Sequence, residues 1–302
     1  MKCLPVGMSV YARAGHVRQA VEALSKNRLA EKTRFFVFSD APKPGDEEKV
    51  SEVRKYLRTI RGFKSVEIVE RTENDRVKNN RGGMRALLDQ FGAMIFMEED
   101  VLTAPGFLTF MNQAMEKYDD RDDILSVSGH SPNLRANARA DVDAFLSRRF
   151  HPWGFGITRA NFELITALPT WPEISKDRDT VMRLKEMGKD MLPMIKAEAD
   201  VAVNALDLRI CYASAKLQKW HVLPTQTLVR NIGIDGTGAH CGTRDPYLQD
   251  LLSVKTVFRL DEHITPNKRA LREYKKFYSP SLSFPRRIKR LAYKMQSKVS
   301  NP

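Results

Sequence analysis

Cysteine is scarce in this sequence. Cys3, Cys211 and Cys241 stand far apart, which excludes a disulfide framework and a cysteine-built zinc site and points to a reducing compartment, the cytoplasm. Long apolar runs are missing as well: nothing approaches eighteen consecutive apolar residues, so no transmembrane helix is expected. The opening "MKCLPVGMSVYARAGH" carries one lysine and a short apolar run without a convincing cleavage site. It reads as a first strand rather than a secretion signal. Internal repeats and low-complexity segments are also absent. What is left, 302 residues at 42% apolar content, is a globular chain with room for one large domain or two modest ones.

The net charge of +13 suggests a polyanion partner until it is located. From Pro266 to the end, eleven Lys/Arg face Glu273 alone, so +10 of the +13 sits in the last 37 residues. The body is close to neutral. Within the terminal block, "FPRRIKRLAYKMQSKV" interleaves Ile288, Leu291, Tyr293, Met295 and Val299 with cations. This imperfectly amphipathic pattern fits an anchor on an anionic membrane surface, at about 1 kcal/mol per basic residue. A solvated tail and a nucleic-acid contact are the alternatives.

Apolar periodicity organises the first half. Strands are expected at 4–13, 34–40, 65–70, 93–98 and 123–130, and helices at 16–27, 46–60, 81–91 and 106–118. Strands alternating with helices of about ten to fifteen residues give an α/β fold with a mainly parallel sheet flanked by helices. Ligands then gather at the carboxyl ends of the strands. Beyond residue 130 the rhythm breaks into a less regular second half. Residues 131–149 read as a polar loop, 150–165 as aromatics and glycines feeding a helix, 170–200 as charged helix, and 222–243 as a glycine-rich stretch.

One stretch combines these signals. "AMIFME" runs straight into Glu98, Glu99 and Asp100, and a helix follows promptly at "APGFLTFM". An acidic triple can simply open a solvent loop. At the carboxyl end of a parallel strand, however, three adjacent carboxylates repel one another unless a cation or hydroxyl groups offset the charge. A hard divalent ion such as Mn²⁺ or Mg²⁺, held by one carboxylate together with phosphate oxygens, meets that need. Strand alternation would send Glu98 and Asp100 to one face and Glu99 to the other.

"FMEEDVLTAPGFLTFMNQAMEKYDDRDDILSVSGHSP" resembles the "(L/V)EDD(V/L)xxxPxFxxYxxxxLxxYxxDxxVxxISG" segment of GT-A-fold glycosyltransferases, bacterial polysaccharide sugar transferases akin to N-acetylglucosaminyltransferase I. "LPTQTLVRNIGIDGTGAHC" (223–241) is similar to "YPxxSLVxNIGFDGSGTHC", with eight residues of "NIGIDGTGAHC" in common. The likeness spans roughly residues 4–245. It implies a GT-A (Rossmann-like) fold with a nucleotide-sugar-binding half (1–130), an acceptor and catalytic half of the same domain (131–250) and the basic tail (251–302). The acidic triple would be the DxD-type motif, with Asp100 as metal ligand and Glu98 and Glu99 contacting donor sugar and ribose. Glu99 departs from the family's aspartate. His240 would complete the metal site or touch the diphosphate.

By the same likeness Arg13, after the first strand, would contact the pyrophosphate, and Asp40, in "FVFSDAP", would lie near the base. Arg81 with Gly82 and Gly83 would offer a helix N-terminus to phosphate. In "FHPWGFGIT", Trp153 would present a flat face to a sugar ring, while Gly154 and Gly156 let backbone approach closely.

The implied reaction moves a glycosyl group from a nucleoside diphosphate sugar, a UDP-sugar first, to a hydroxyl of a glycan or glycolipid acceptor in surface polysaccharide synthesis. An inverting enzyme needs one carboxylate to take the acceptor proton. "KAEADVAVNAL" (196–206) occupies the family's position for it, with Asp200 as the choice and Glu198 and Glu173 as rivals. The tail would then hold the enzyme peripherally on the inner face of the plasma membrane, with no nucleic acid involved. Three rivals remain open: an inactive binding subunit of a polysaccharide assembly, a nucleic-acid-binding protein, and a nucleotidyltransferase. The last would carry a "GxGTR"-like loop where this chain has "YARAGH".

Overall fold

Apolar residues alternate between two buried faces along the central strands. Phe35, Val37, Ile95 and Met97 belong to one core cluster, and Phe36, Phe38, Met94 and Phe96 to another. Such strands read as continuous apolar runs because both sides of the sheet are covered. The computed structural model describes residues 3–137, 141–168, 176–201, 205–236 and 252–279, without the side chains of 198–201.

The chain alternates β1 (Val6–Val10), α1 (Ala14–Ser25), β2 (Arg34–Ser39), α2 (Glu47–Leu57), β3 (Ser65–Glu70), α3 (Arg76–Phe91) and β4 (Ala93–Glu98). It continues through β5 (Val101–Thr103), α4 (Phe107–Lys117), β6 (Ile124–Ser128), β7 (Ala144–Ser147), β8 (Phe155–Thr158) and α5 (Arg159–Ala167). Then come α6 (Arg178–Glu186), α7 (Met191–Val201), α8 (Leu206–Leu217), β9 (Trp220–Pro224), β10 (Val229–Asn231) and α9 (Lys268–Phe277). Eight strands form one sheet in the order β3-β2-β1-β4-β8-β6-β9-β7, and β10 pairs with β5 in a two-stranded ribbon. β1 to β4, β6 and β9 run the same way, with β8 and β7 antiparallel. Helices α1, α2 and α4 cover one face through Val17, Leu24, Val53, Leu57 and Phe110. Helices α3, α5, α6 and α8 cover the other. This is the α/β, mainly parallel arrangement expected from the periodicity.

Several boundaries differ from that reading. α3 starts at Arg76, where Asp75 caps it by accepting from the Lys78 backbone N–H at 2.9 Å. Arg81, Gly82 and Gly83 therefore lie inside a helix and not at its N-terminus. Gly83 is instead a packing glycine: a Cβ there would meet the Phe38 ring at 2.7 Å. The polar stretch 131–149 contains β7, whose four residues are all buried. The second half is woven into the sheet, since β8 sits between β4 and β6.

The basic tail also begins inside the fold. Asp143 and Arg259 exchange backbone and side-chain hydrogen bonds at 2.8–2.9 Å, and Ile264, Ala270, Tyr274 and Tyr278 are buried. Residues 280–302 lie outside the described residues. Among the described residues no helix is long and apolar enough to cross a membrane.

Asn27 ties three elements together. Its amide donates to Ala23 O and Thr103 Oγ1 at 3.1 and 3.0 Å, and its Oδ1 accepts from Leu108 N, a free N–H at the start of α4, at 2.9 Å. The residue is buried, so water cannot replace these partners. Asn27→Ala is expected to lower unfolding stability by about 2–3 kcal/mol in urea titrations. A change under about 0.5 kcal/mol would remove this latch from the account.

Candidate functional site

β1, β2, β4 and β6 all end on the same edge of the sheet, and the acidic triple emerges there at the end of β4. β4 stops at Glu98, and a turn through Glu99 and Asp100 leads into β5. That turn breaks the strand alternation expected from the sequence. Glu99 and Asp100, rather than Glu98 and Asp100, share a partner.

The partner is Arg13, just past β1. Its Nε donates to Glu99 Oε1 and its Nη2 to Asp100 Oδ2, both at 2.7 Å. The second Glu99 oxygen accepts from the Tyr11 backbone N–H at 2.5 Å. Burial pulls the Arg13 pKa down, but hydrogen bonds and charge from Glu99 and Asp100 outweigh it and the net shift is upward. The third nitrogen, Nη1, is buried and has no hydrogen-bond partner among the described residues.

The "NIGIDG" segment closes over this pair. β10 pairs with β5, which places Asn231 opposite Val101. Asn231 Nδ2 then donates to Asp100 Oδ1 at 3.3 Å, and Ile232 N to Asp100 O at 2.8 Å. At Gly233 a Cβ would overlap the Asp100 carboxylate and lie 3.0 Å from Arg13 Nη1. Only glycine lets the loop pack this closely on the pair. His16 and Asp235, 3.2 Å apart, tie the loop to α1.

Glu98 faces different neighbours. Burial, followed by the charge of Asp100, pushes its pKa up to about 7; Arg76 opposes the shift, and Asp207 and Glu99 reinforce it. Asp207, in the first turn of α8, is itself raised by burial, against backbone hydrogen bonds and the charges of Arg149 and Arg76. Four carboxylates thus share the charges of Arg13, Arg76 and Arg149, the last already paired with Asp190 at 2.8 and 2.9 Å. The concentration of carboxylate oxygens suits a hard cation bound through oxygen. Among the described residues no cluster of three or more His, Cys, Asp or Glu in metal-holding geometry is present. His240, the expected further ligand, lies outside the described residues.

A raised carboxyl pKa makes the folded state hold a proton that the unfolded chain releases, so stability falls as pH rises from about 4.5 through 7. Glu98→Gln removes that cost. The variant's stability advantage over the parent chain, measured by urea unfolding without divalent metal, is expected to grow across this window towards about 3 kcal/mol. A constant difference from pH 5 to 8 would contradict the assignment.

Other expected residues have their own places. Asp40, at the end of β2, is buried: Oδ1 accepts from Ala41 N and Asp75 N at 3.0 and 3.1 Å, and Oδ2 from Asn74 Nδ2 at 3.2 Å. It holds the loops that border the edge. Arg81 is half-buried within α3. Trp153 is half-buried, its ring 4.6 Å from that of His130, next to His151. At Gly154, with φ +65°, the close approach is made by the chain's own Phe107 ring, 2.9 Å from a Cβ. Met115 does the same at Gly156. Buried His151 bonds to Tyr274 and Tyr278 at 2.5 and 3.1 Å, which links α9 to this aromatic layer. Asp200 and Glu198 lie on α7 with side chains outside the description, and Glu173 lies outside the described residues altogether.

Asn231 and Gly233 lie within the "NIGIDGTGAHC" motif, whereas nothing in the sequence analysis singles out Asp207 or Tyr11. The window searched for a base ended at residue 206, one short of Asp207, although an acid in the first turn of a helix is a recognisable signal.

No protein-family model matches the chain, and no curated protein does either. Among solved structures, the mannosyltransferase PcManGT from Pyrobaculum calidifontis, in complex with GDP-Man and Mn²⁺, is similar at 14% identity over 71% of this chain and 69% of that one, with a TM-score of 0.40. S. aureus TarS is similar at 13% identity over 41% of this chain, with a TM-score of 0.30, and the match spans a fifth of TarS (20%). An active-site mutant of LgtC gives 12% identity over 58% of this chain and 65% of that one, with a TM-score of 0.35. These are distant, partial likenesses, and no residue role is taken from them.

Proposed function

We propose that this chain is a glycosyltransferase that moves a sugar from a nucleoside diphosphate donor to an acceptor hydroxyl. The observation that carries the reading is Arg13. It holds Glu99 and Asp100 at the carboxyl edge of the sheet, while its buried Nη1, beside the close-packed Gly233, has no acceptor among the described residues. A phosphate oxygen supplies the missing acceptor.

Asp100 is the residue to hold Mn²⁺ or Mg²⁺, with His240 as a further ligand and Glu98 towards the donor sugar. Such an ion, when bound, neutralises charge on the departing diphosphate. Arg13 adds a fixed positive charge at the same place. Asp207, upward-shifted and close enough to Glu98 to alter its titration, is the base. It takes the acceptor proton as the acceptor oxygen bonds to the anomeric carbon and the carbon–oxygen bond to the diphosphate breaks, with inversion. Asp207 is preferred to Asp200 in this role because its carboxylate reinforces the upward shift of Glu98. A UDP-sugar donor, a glycan or glycolipid acceptor, a role in surface polysaccharide synthesis, and a cytoplasmic site peripheral to the membrane complete the reading.

The test is a thermal-shift screen of nucleoside diphosphates and their sugars, with and without Mn²⁺. A metal-dependent rise for one base, lost in Asp100→Ala, is the expected result. No rise for any donor would overturn the reading, and binding without donor turnover or hydrolysis would favour a non-catalytic binding subunit.

A further inference from the structure

A second charged cavity lies on the opposite edge of the sheet. Ser147 of β7 pairs with His221 of β9, and β9 begins at Trp220. Because β9 runs parallel to β6 and in the same direction as β4, Trp220 marks the amino edge, away from Glu98. A cavity of about 320 Å³ opens there between the sheet edge, α6 and α9. Its size falls at the lower end of the range of ligand pockets.

Its charge is one-sided. Arg148, Arg149, Lys268, Arg272 and Lys275 line it, and Glu186 is the one acid among the lining residues. Arg149 is neutralised by a two-pronged pair with Asp190 at 2.8 and 2.9 Å. The other four cations have no ion pair among the described residues, which leaves an excess of three positive charges over Glu186. Arg148 sits over the Trp220 ring, its Cζ 3.8 Å from the ring centroid. Its Nη1 is buried without a hydrogen-bond partner among the described residues. Burial lowers its pKa, Glu186 opposes that and Arg183 adds to it, which marks a guanidinium short of compensating charge.

Helix α9 repeats the pattern. Lys268, Arg272 and Lys275 follow one another at i+4 and i+3, so like charges stack along the side that lines the cavity. That arrangement disfavours an isolated helix. The helix is nonetheless fixed in place from its other side by Ala270 and Tyr274. A fixed stripe of cations facing a walled space is what an anion would stabilise.

We propose that this cavity is a phosphate-binding site separate from the donor site, formed by Arg148 stacked on Trp220 and by the Lys268–Arg272–Lys275 face of α9. Phosphate is the anion that matches an excess of several positive charges and a forked guanidinium donor. It can come from a lipid headgroup or from a soluble phosphate. The six further Lys/Arg of residues 280–302 follow directly in sequence.

Titration calorimetry of inorganic phosphate into the full chain tests the site. Saturable binding is expected, weakened at least tenfold in the double variant Arg272→Gln/Lys275→Gln and unchanged in Lys26→Gln/Lys55→Gln. These four side chains are exposed, so both variants should fold, and nucleoside diphosphate binding should stay unchanged in both. A second arm identifies the source. Loss of flotation on phosphatidylglycerol vesicles in the α9 variant, with no binding to phosphatidylcholine by either chain, supports a headgroup. Equal flotation of both chains together with the phosphate loss supports a soluble phosphate. The proposal is overturned if phosphate binding is absent, or if it is equal in the parent chain and the α9 variant.

Discussion

Asp207→Asn is expected to lower kcat by about 10²- to 10⁴-fold while donor affinity stays within about threefold of the parent chain. The asparagine keeps the shape of the helix start but cannot accept the acceptor's proton. Steady-state rates, paired with calorimetry of the donor, separate the two quantities. A parallel Asp200→Asn variant should retain nearly full turnover. If Asp200→Asn shows the loss instead, the base lies on α7 and the reading of Asp207 is wrong. A raised carboxyl pKa suits a base that works near neutral pH.

The second large effect is expected at Asp100. Asp100→Asn should reduce turnover by at least about 10³-fold and abolish the metal-dependent part of donor binding. The change keeps an oxygen for Arg13 Nη2, 2.7 Å away in the parent chain, so the fold should survive. Asp100→Ala is harsher. It leaves Arg13 Nη2 and Asn231 Nδ2 without their acceptor, with an expected stability loss of about 1–3 kcal/mol. Comparing the two variants by thermal melt and turnover separates loss of the site from loss of structure. Turnover by Asp100→Asn within about tenfold of the parent chain would exclude this residue from the reaction.

The sheet was legible in the sequence because both faces of its strands are covered. "RFFVF" and "AMIFME" are apolar at every buried position, and parallel strands need no turn signal to be found. The strand β7 was not legible. It occupies the end of a polar stretch and is buried only because β9 and α9 come from far along the chain to cover it. The start of α3 was missed for a local reason. Gly82 and Gly83 look like a helix start, whereas the true cap, Asp75, lies nine residues before Met84, the first buried apolar side chain of the helix.

The site follows the same division. Its acids could be read at the end of β4, and the "NIGIDG" segment as a motif. That the two meet rests on the β5–β10 pairing, a contact across more than a hundred residues that no periodicity encodes. The same holds for the tail. Counted as charge it looks like an appendage from residue 266, yet Tyr274 and Tyr278 are buried against His151. A truncation meant to remove only a charged tail therefore belongs at residue 280. One at 266 removes part of the core.

The most direct measurement is Mn²⁺ uptake by the full chain, followed by electron paramagnetic resonance with and without nucleoside diphosphate. One ion per chain, bound more tightly when the nucleotide is present and lost in Asp100→Asn, is the result this account expects. Uptake that ignores the nucleotide, or that survives Asp100→Asn unchanged, would contradict it.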